Sequence, residues 1–191
     1  MGRMLLHVPR MYRESEFRRL VATLPSDFQP KKAEFWNYIE EKLKMFIGRA
    51  QRVYRDGICT QGEDALNQLC SIDAENCRAA KSLIASGAKF EATEESLLVA
   101  ESDSWLEMLR SQQSNPVVLE LYEETMRERD RFVSKRIDET LGADECGVLF
   151  MDPARKISLN ESVKVIKMCR FDPLDYLRSW QIRMNSKNSK V

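Results

Sequence analysis

The chain has 191 residues, of which 43% are hydrophobic and 31% are charged, and its 30 Lys and Arg residues balance 30 Asp and Glu residues. This length fits one domain with a sizeable core. No window approaches the roughly 18 uninterrupted apolar residues of a membrane span, so we expect an ordinary soluble protein.

Short apolar runs predict five strands, at 4–8, 51–58, 88–92, 147–151 and 163–166. The fourth run is apolar throughout, which is typical of a fully covered strand. In the fifth run valines alternate with lysines, which suggests an edge position. Helical stretches separate most of these runs. The pattern therefore predicts an α/β fold, with a mostly parallel sheet of about four or five strands covered by six to eight helices.

Apolar residues at helical spacing predict helices at 16–24, 31–49, 63–71, 74–85, 94–110, 116–141 and 171–183. Asn115 is a favourable N-cap for the long helix that Pro116 begins, and Thr93 is a candidate N-cap for the helix before it. We expect one domain over residues 1–184 and a disordered polar tail over residues 185–191.

The balanced net charge conceals an uneven distribution. Residues 1–60 carry 12 basic and 7 acidic residues, residues 61–150 carry 9 and 19, and residues 151–191 carry 9 and 4. The basic ends and the acidic middle either complement each other within the fold or form a basic face that meets an acidic protein or nucleic acid. A nucleic-acid partner has weaker support, because the basic ends lack interleaved aromatic residues and the acidic middle repels phosphates.

The five cysteines are Cys59, Cys70, Cys77, Cys146 and Cys169, and no two of them form a Cys-x-x-Cys pair. The apolar run at the N-terminus is too short for a signal peptide. We therefore expect reduced thiols in a cytoplasmic protein.

Three acidic positions follow predicted strands: Asp56, Glu91 or Glu94, and Asp152. In a parallel sheet these strand ends meet at one edge, where α/β proteins bind ligands. Carboxylate oxygens suit Mg²⁺, Mn²⁺ or Ca²⁺, so a metal site is one hypothesis. Acidic residues also occur at strand ends for solubility and helix capping, and we favour that explanation.

Three arginines, Arg10, Arg55 and Arg155, are predicted at the same edge. Arginine forks match phosphate and carboxylate groups, so these residues are candidates for binding an anionic ligand. They can instead pair with Asp56 and Asp152, and we favour that pairing.

His7 is the single histidine and lies within an apolar strand, where a histidine is usually part of the core with its hydrogen bonds satisfied. One histidine without a cysteine cluster makes a zinc site or a Cys–His catalytic pair improbable. No Gly-x-Gly-x-x-Gly or phosphate-loop motif is present, so we expect no nucleotide cofactor.

Three segments carry a family resemblance: 128–132 (Glu-Arg-Asp-Arg-Phe), 135–137 (Lys-Arg-Ile) and 147–151 (Gly-Val-Leu-Phe-Met). Together they resemble the last helix and strand of the TraB-like, ChaN-like and erythromycin-esterase-like superfamily. In that group this strand usually runs into a Gly-x-x-His loop, and the first strand ends in a His-x-Glu-like motif.

Without gaps, the resemblance places Asp152 at the position of that glycine and Arg155 at the position of its histidine, with Arg10 near the other histidine. Arginine there puts positive charge where a cation would bind. The resemblance therefore implies a non-catalytic member that binds another protein as an interaction or accessory subunit. The alternative is a hydrolase with an altered carboxylate–arginine site, for which Asp56, Glu94 and Asp152 are the catalytic candidates.

Overall fold

A computed structural model of the chain describes residues 2–21, 23–111 and 115–188. These residues form a five-stranded, all-parallel sheet with seven α-helices, which confirms the predicted α/β class. The strands are β1 (Met4–Pro9), β2 (Arg52–Arg55), β3 (Lys89–Phe90), β4 (Cys146–Met151) and β5 (Lys164–Lys167). The helices are α1 (Glu14–Leu20), α2 (Phe28–Leu43), α3 (Gly62–Ile72), α4 (Ala74–Ala85), α5 (Ser96–Ser111), α6 (Pro116–Thr140) and α7 (Pro173–Asn188).

The strand order is β3-β2-β4-β1-β5. Every residue of β4 is buried, as its unbroken apolar sequence predicts, because it lies at the centre of the sheet and is covered on both faces. β5 forms one edge of the sheet, which confirms the position suggested by its alternating lysines.

The two faces of the sheet are covered differently. Alternate strand residues such as Leu6 and Val8 face the larger core, to which α1, α2, α3, α4 and α7 contribute. Leu5 and Tyr54 belong to the smaller core on the other face, where α6 supplies the helical cover. The connection from β4 to β5 contains no helix, so the loop 152–163 covers the rest of that face.

Most differences from the predicted elements concern boundaries. The first helix begins two residues early and ends at Leu20, and the second ends at Leu43 before a short 3-10 turn. α7 continues to Asn188, so residues 185–188 are helical rather than part of a disordered tail, because each added residue of a formed helix gains a hydrogen bond. The rest of the predicted tail, residues 189–191, lies outside the described residues.

Within the described ranges, no helix is both long enough and apolar enough to cross a membrane. α6 has 25 residues, but its outer face is densely charged.

The expectation of five reduced cysteines is wrong for one pair, because Cys70 and Cys77 form a disulfide. The bond joins α3 to α4, whose close approach at the turn around Asp73 brings the two sulfur atoms together. Cys59, Cys146 and Cys169 carry free thiols.

This pairing predicts the thiol count of the protein. In denaturant without reductant, titration with Ellman's reagent should find three thiols per chain, and five after reduction. Five thiols before reduction, in protein purified without reductant, would contradict the disulfide.

Gly147 in β4 lies against Leu5 of β1, Tyr54 of β2 and Leu141 at the end of α6. A Cβ atom at this position would lie 3.0 Å from Tyr54 Cε2, 3.1 Å from Leu5 Cδ1 and 3.2 Å from Leu141 Cδ1. We expect Gly147→Ala to lower the free energy of unfolding by about 1–3 kcal/mol, because a filled core resists an added methyl group. Urea denaturation measures this change. Gly2→Ala is the control, since no heavy atom lies within 4 Å of its added Cβ.

Candidate functional site

Three strand ends meet at the carboxyl edge of the sheet. Arg10 follows β1, Asp56 follows β2 and Asp152 follows β4. The parallel register brings them together: the Arg10 amide donates to the Met151 carbonyl at 2.8 Å, and the Asp56 amide donates to the Phe150 carbonyl at 3.1 Å. This is the edge at which open α/β sheets hold ligands.

The Arg10 guanidinium occupies the middle of this edge, and only 9% of its side chain is exposed. It donates to Glu16 Oε2 at 2.8 Å and to Asp152 Oδ2 at 3.3 Å, and its Nε lies 3.4 Å from Asp56 Oδ1. Burial alone would lower the pKa of Arg10, but the three carboxylates outweigh burial and raise the pKa above its ordinary value. Arg10 is therefore a permanently charged group enclosed by acids.

Asp56 connects two strands through its carboxylate. Its Oδ2 accepts a hydrogen bond from the Asp152 amide at 2.9 Å, and its Oδ1 pairs with Arg55 Nη1. Burial alone would raise the pKa of Asp56, but Arg55, Arg10 and Arg155 hold it below the ordinary range of a carboxyl group. Asp56 therefore stays ionised at neutral pH.

Arg55 is buried beneath this edge, where its Nε donates to Asn76 Oδ1 at 3.1 Å. Burial lowers the pKa of Arg55 from its ordinary value. Its backbone amide donates to Thr93 Oγ1 at 3.0 Å. The prediction that Thr93 caps α5 is therefore wrong. The helix begins at Ser96, three residues after Thr93, and the buried Thr93 hydroxyl supports β2 instead.

A second group of ion pairs ties the edge to α6. Glu94 accepts from Arg129 Nε at 2.5 Å and also pairs with Arg155 Nη1. Glu94 Oε1 further accepts from the Gly57 amide at 2.8 Å. Arg155 Nε donates to Asp130 Oδ1 at 2.7 Å. Loop 152–163, α6 and the start of α5 are thus held at one point.

The structure brings all six predicted site residues to one edge of the sheet: Arg10, Arg55, Asp56, Glu94, Asp152 and Arg155. Arg10 and Arg155 both lie close enough to Asp56 for their charges to lower the pKa of its carboxyl group. Arg10 and Arg55 pair with Asp56, and Arg10 also with Asp152, as the favoured interpretation predicted. Arg155 pairs with Glu94 and Asp130 instead. Glu91, the alternative to Glu94, pairs with Arg52.

Sequence reasoning missed four members of the network, which are Glu16, Asn76, Arg129 and Asp130. Arg129 and Asp130 lie in the most charged run of α6, a pattern that predicts a solvent-exposed face. Helical spacing offered one signal that these two residues face the protein, because they lie one turn before the buried Val133 and Ser134.

The carboxylates are poorly suited to a metal ion. Among the residues that the structure describes, no group of three or more His, Cys, Asp and Glu side chains is placed to hold a metal. Asp56, Glu94 and Asp152 each contact an arginine, and a cation would have to bind beside those positive charges.

Comparison with known protein families, curated proteins and solved structures finds no match for this chain. The superfamily resemblance therefore stays a prediction.

The network makes stability sensitive to acid. Hydrogen bonds from Arg13 and the charge of Arg10 lower the pKa of Glu16 to about 2, against an ordinary value of 4.5 and despite burial, which alone would raise it. A depressed pKa stabilises the fold above about pH 4.5, and this contribution is lost as the pH falls towards 2. In Glu16→Gln we expect the drop in unfolding free energy between pH 5 and pH 2 to shrink by about 2–3 kcal/mol.

Urea denaturation across this pH range measures the effect. Glu120→Gln, which changes an exposed carboxyl group on α6, should leave the pH dependence unchanged. An acid profile of Glu16→Gln identical to that of the unmodified chain would contradict the assignment.

Proposed function

We propose that this chain is a non-catalytic α/β domain that acts by binding another protein. The observation that carries the proposal is the closed carboxyl edge of the sheet, where guanidinium groups pair with the carboxylates that a ligand or metal would need. The resemblance places Arg155 at one histidine position of the superfamily and Arg10 near the other, and both arginines are paired with acids.

A general base must be free to accept a proton, and a metal ligand must be free to share its charge. Asp56 and Glu94 would have to leave buried arginines to do either. Removing one partner from such a pair leaves an uncompensated buried charge, at a cost of about 3–5 kcal/mol. The network therefore supports a structural role for these residues.

One observation favours the hydrolase alternative. Burial raises the pKa of Asp152, whose side chain is 24% exposed, and a raised pKa is typical of catalytic acids and bases. The Asp152 carboxylate already accepts from Arg10 Nη2 at 3.3 Å and from the Ala154 amide at 2.8 Å, so its oxygens serve the loop.

A substrate screen separates these two proposals. We expect the unmodified chain to turn over ester and peptide substrates no faster than the Asp152→Asn variant does. Turnover that Asp152→Asn abolishes, with folding intact, would overturn the non-catalytic proposal.

The surface that we assign to binding is the α5–α6 hairpin, residues 96–111 and 116–128. α5 packs chiefly on α6, and its only fully buried residue is Ser102. Several large apolar side chains of the hairpin remain exposed, namely Leu97, Met108, Val117, Leu119 and Leu121. Exposed apolar residues grouped on a pair of packed helices are typical of a protein-binding surface.

The charge of the hairpin indicates the chemistry of its partner. Seven acidic residues, Glu101, Asp103, Glu107, Glu120, Glu123, Glu124 and Glu128, stand against two basic residues, Arg110 and Arg127. A surface that is both apolar and acidic complements an amphipathic helix whose apolar face is flanked by basic residues. We therefore propose a partner protein that presents such a helix. This acidic surface also disfavours a nucleic-acid partner.

A cytoplasmic location belongs to the same proposal, and the Cys70–Cys77 disulfide weighs against it. Disulfides are rare in cytosolic proteins of mesophiles. The redox state of these two cysteines in cells therefore tests the location.

Binding is tested with a fluorescent amphipathic peptide built from leucine and lysine, compared with a matched peptide built from leucine and glutamate. We expect the basic peptide to bind at least about tenfold more tightly, and more weakly as salt rises. Met108→Ser/Val117→Ser should weaken binding by about tenfold or more, since both side chains are exposed on the hairpin.

The matched control is Leu20→Ser/Ile47→Ser, which removes two side chains of similar exposure outside the hairpin. An equal loss of affinity for the basic peptide in both variants, or equal binding of both peptides, would contradict the proposal. Self-association abolished by the hairpin variant would assign the surface to a second copy of the chain and overturn the proposed partner.

A further inference from the structure

A cavity of about 370 Å³ lies between the loop 152–163 and the face of the sheet that α6 leaves open. Its apolar wall includes Leu5, Leu149 and Val163. Val165 of β5 also lines it and is 48% exposed. This volume falls within the range of about 300–1,000 Å³ that is usual for small-molecule sites.

Two buried polar atoms without a hydrogen-bond partner belong to residues that line this cavity. They are Nε2 of His7 and Nη2 of Arg155. The Arg155 side chain is only 5% exposed, so bulk water does not replace the missing acceptor. An unpaired buried donor costs about 1–3 kcal/mol, which a bound acceptor recovers. The expectation that His7 has its hydrogen bonds satisfied is wrong for Nε2.

The surroundings of Arg155 determine the charge of the ligand. Glu94 and Asp130 already pair with Nη1 and Nε of its guanidinium, so the positive charge is neutralised while Nη2 has no acceptor. An anionic ligand would meet these carboxylates. Burial and the charge of Lys167 lower the pKa of His7, so the imidazole is neutral and can also bond to an uncharged group.

We propose that this cavity binds an uncharged, mainly aliphatic molecule whose single oxygen accepts a hydrogen bond from Arg155 Nη2, with His7 as the second polar contact. The site is separate from the hairpin and does not depend on its partner. The apolar wall supplies affinity, and the unpaired Arg155 Nη2 orients the ligand.

The probe is 2-octanone, compared with octanoate, which has a chain of the same length and a negative charge. Methyl-labelled NMR of Leu5, Leu149 and Val163 reports occupancy directly. We expect saturable shifts with 2-octanone and at least about tenfold weaker binding of octanoate. His7→Phe, which keeps the ring and removes the polar atoms, should weaken ketone binding by about fivefold.

Val165→Trp fills the mouth of the cavity and should abolish the shifts. Leu20→Trp makes the same change at an equally exposed position on α1, outside the cavity, and should leave them intact. Leu159→Trp is the second filling variant, needed if Val165→Trp does not fold. Absence of saturable shifts, shifts that persist in a folded filling variant, or equal affinity for octanoate would each overturn the proposal.

Discussion

The buried ion network at the carboxyl edge of the sheet is the constraint on which the structure depends. Arg10 and Asp56 join the ends of β1, β2 and β4, and Glu94 joins loop 152–163 to α6. Each group is tolerated in the interior because its partner is present, and each becomes a cost if the partner is lost. The network therefore fixes the relative positions of three strands and of the base of the hairpin.

Because the acids and arginines at this edge pair with one another, the surfaces that we assign to binding lie elsewhere in the molecule. The α5–α6 hairpin emerges from the point where Arg129 contacts both Glu94 and Ser102, so the network also orients the surface that we assign to a partner. The cavity beside Arg155 arises from the other asymmetry of the fold, a sheet face covered by one helix and a loop. Arg155 belongs to both the network and the cavity.

Much of the fold could be predicted from local patterns. The unbroken apolar run of β4, the alternating lysines of β5 and the Asn115 cap of α6 all behave as the sequence indicated, because each reflects chemistry within a few residues. The six candidate residues at strand ends could also be placed on one edge, since parallel strands end together. The prediction that Thr93 caps α5 was wrong because its hydroxyl accepts a hydrogen bond from the Arg55 amide instead.

The sequence by itself determined the α/β class, the apolar centre of the sheet and the set of charged residues at its carboxyl edge. Only the tertiary structure decided which charges meet: Arg10 contacts Asp152 across 142 residues, and Glu94 contacts Arg155 across 61. Glu16, Arg129 and Asp130 resemble solvent-exposed charges in sequence, and the Cys70–Cys77 bond depends on how α3 meets α4. The physical reason is that burial and Coulomb partners depend on distances in space, which the spacing along the chain does not specify.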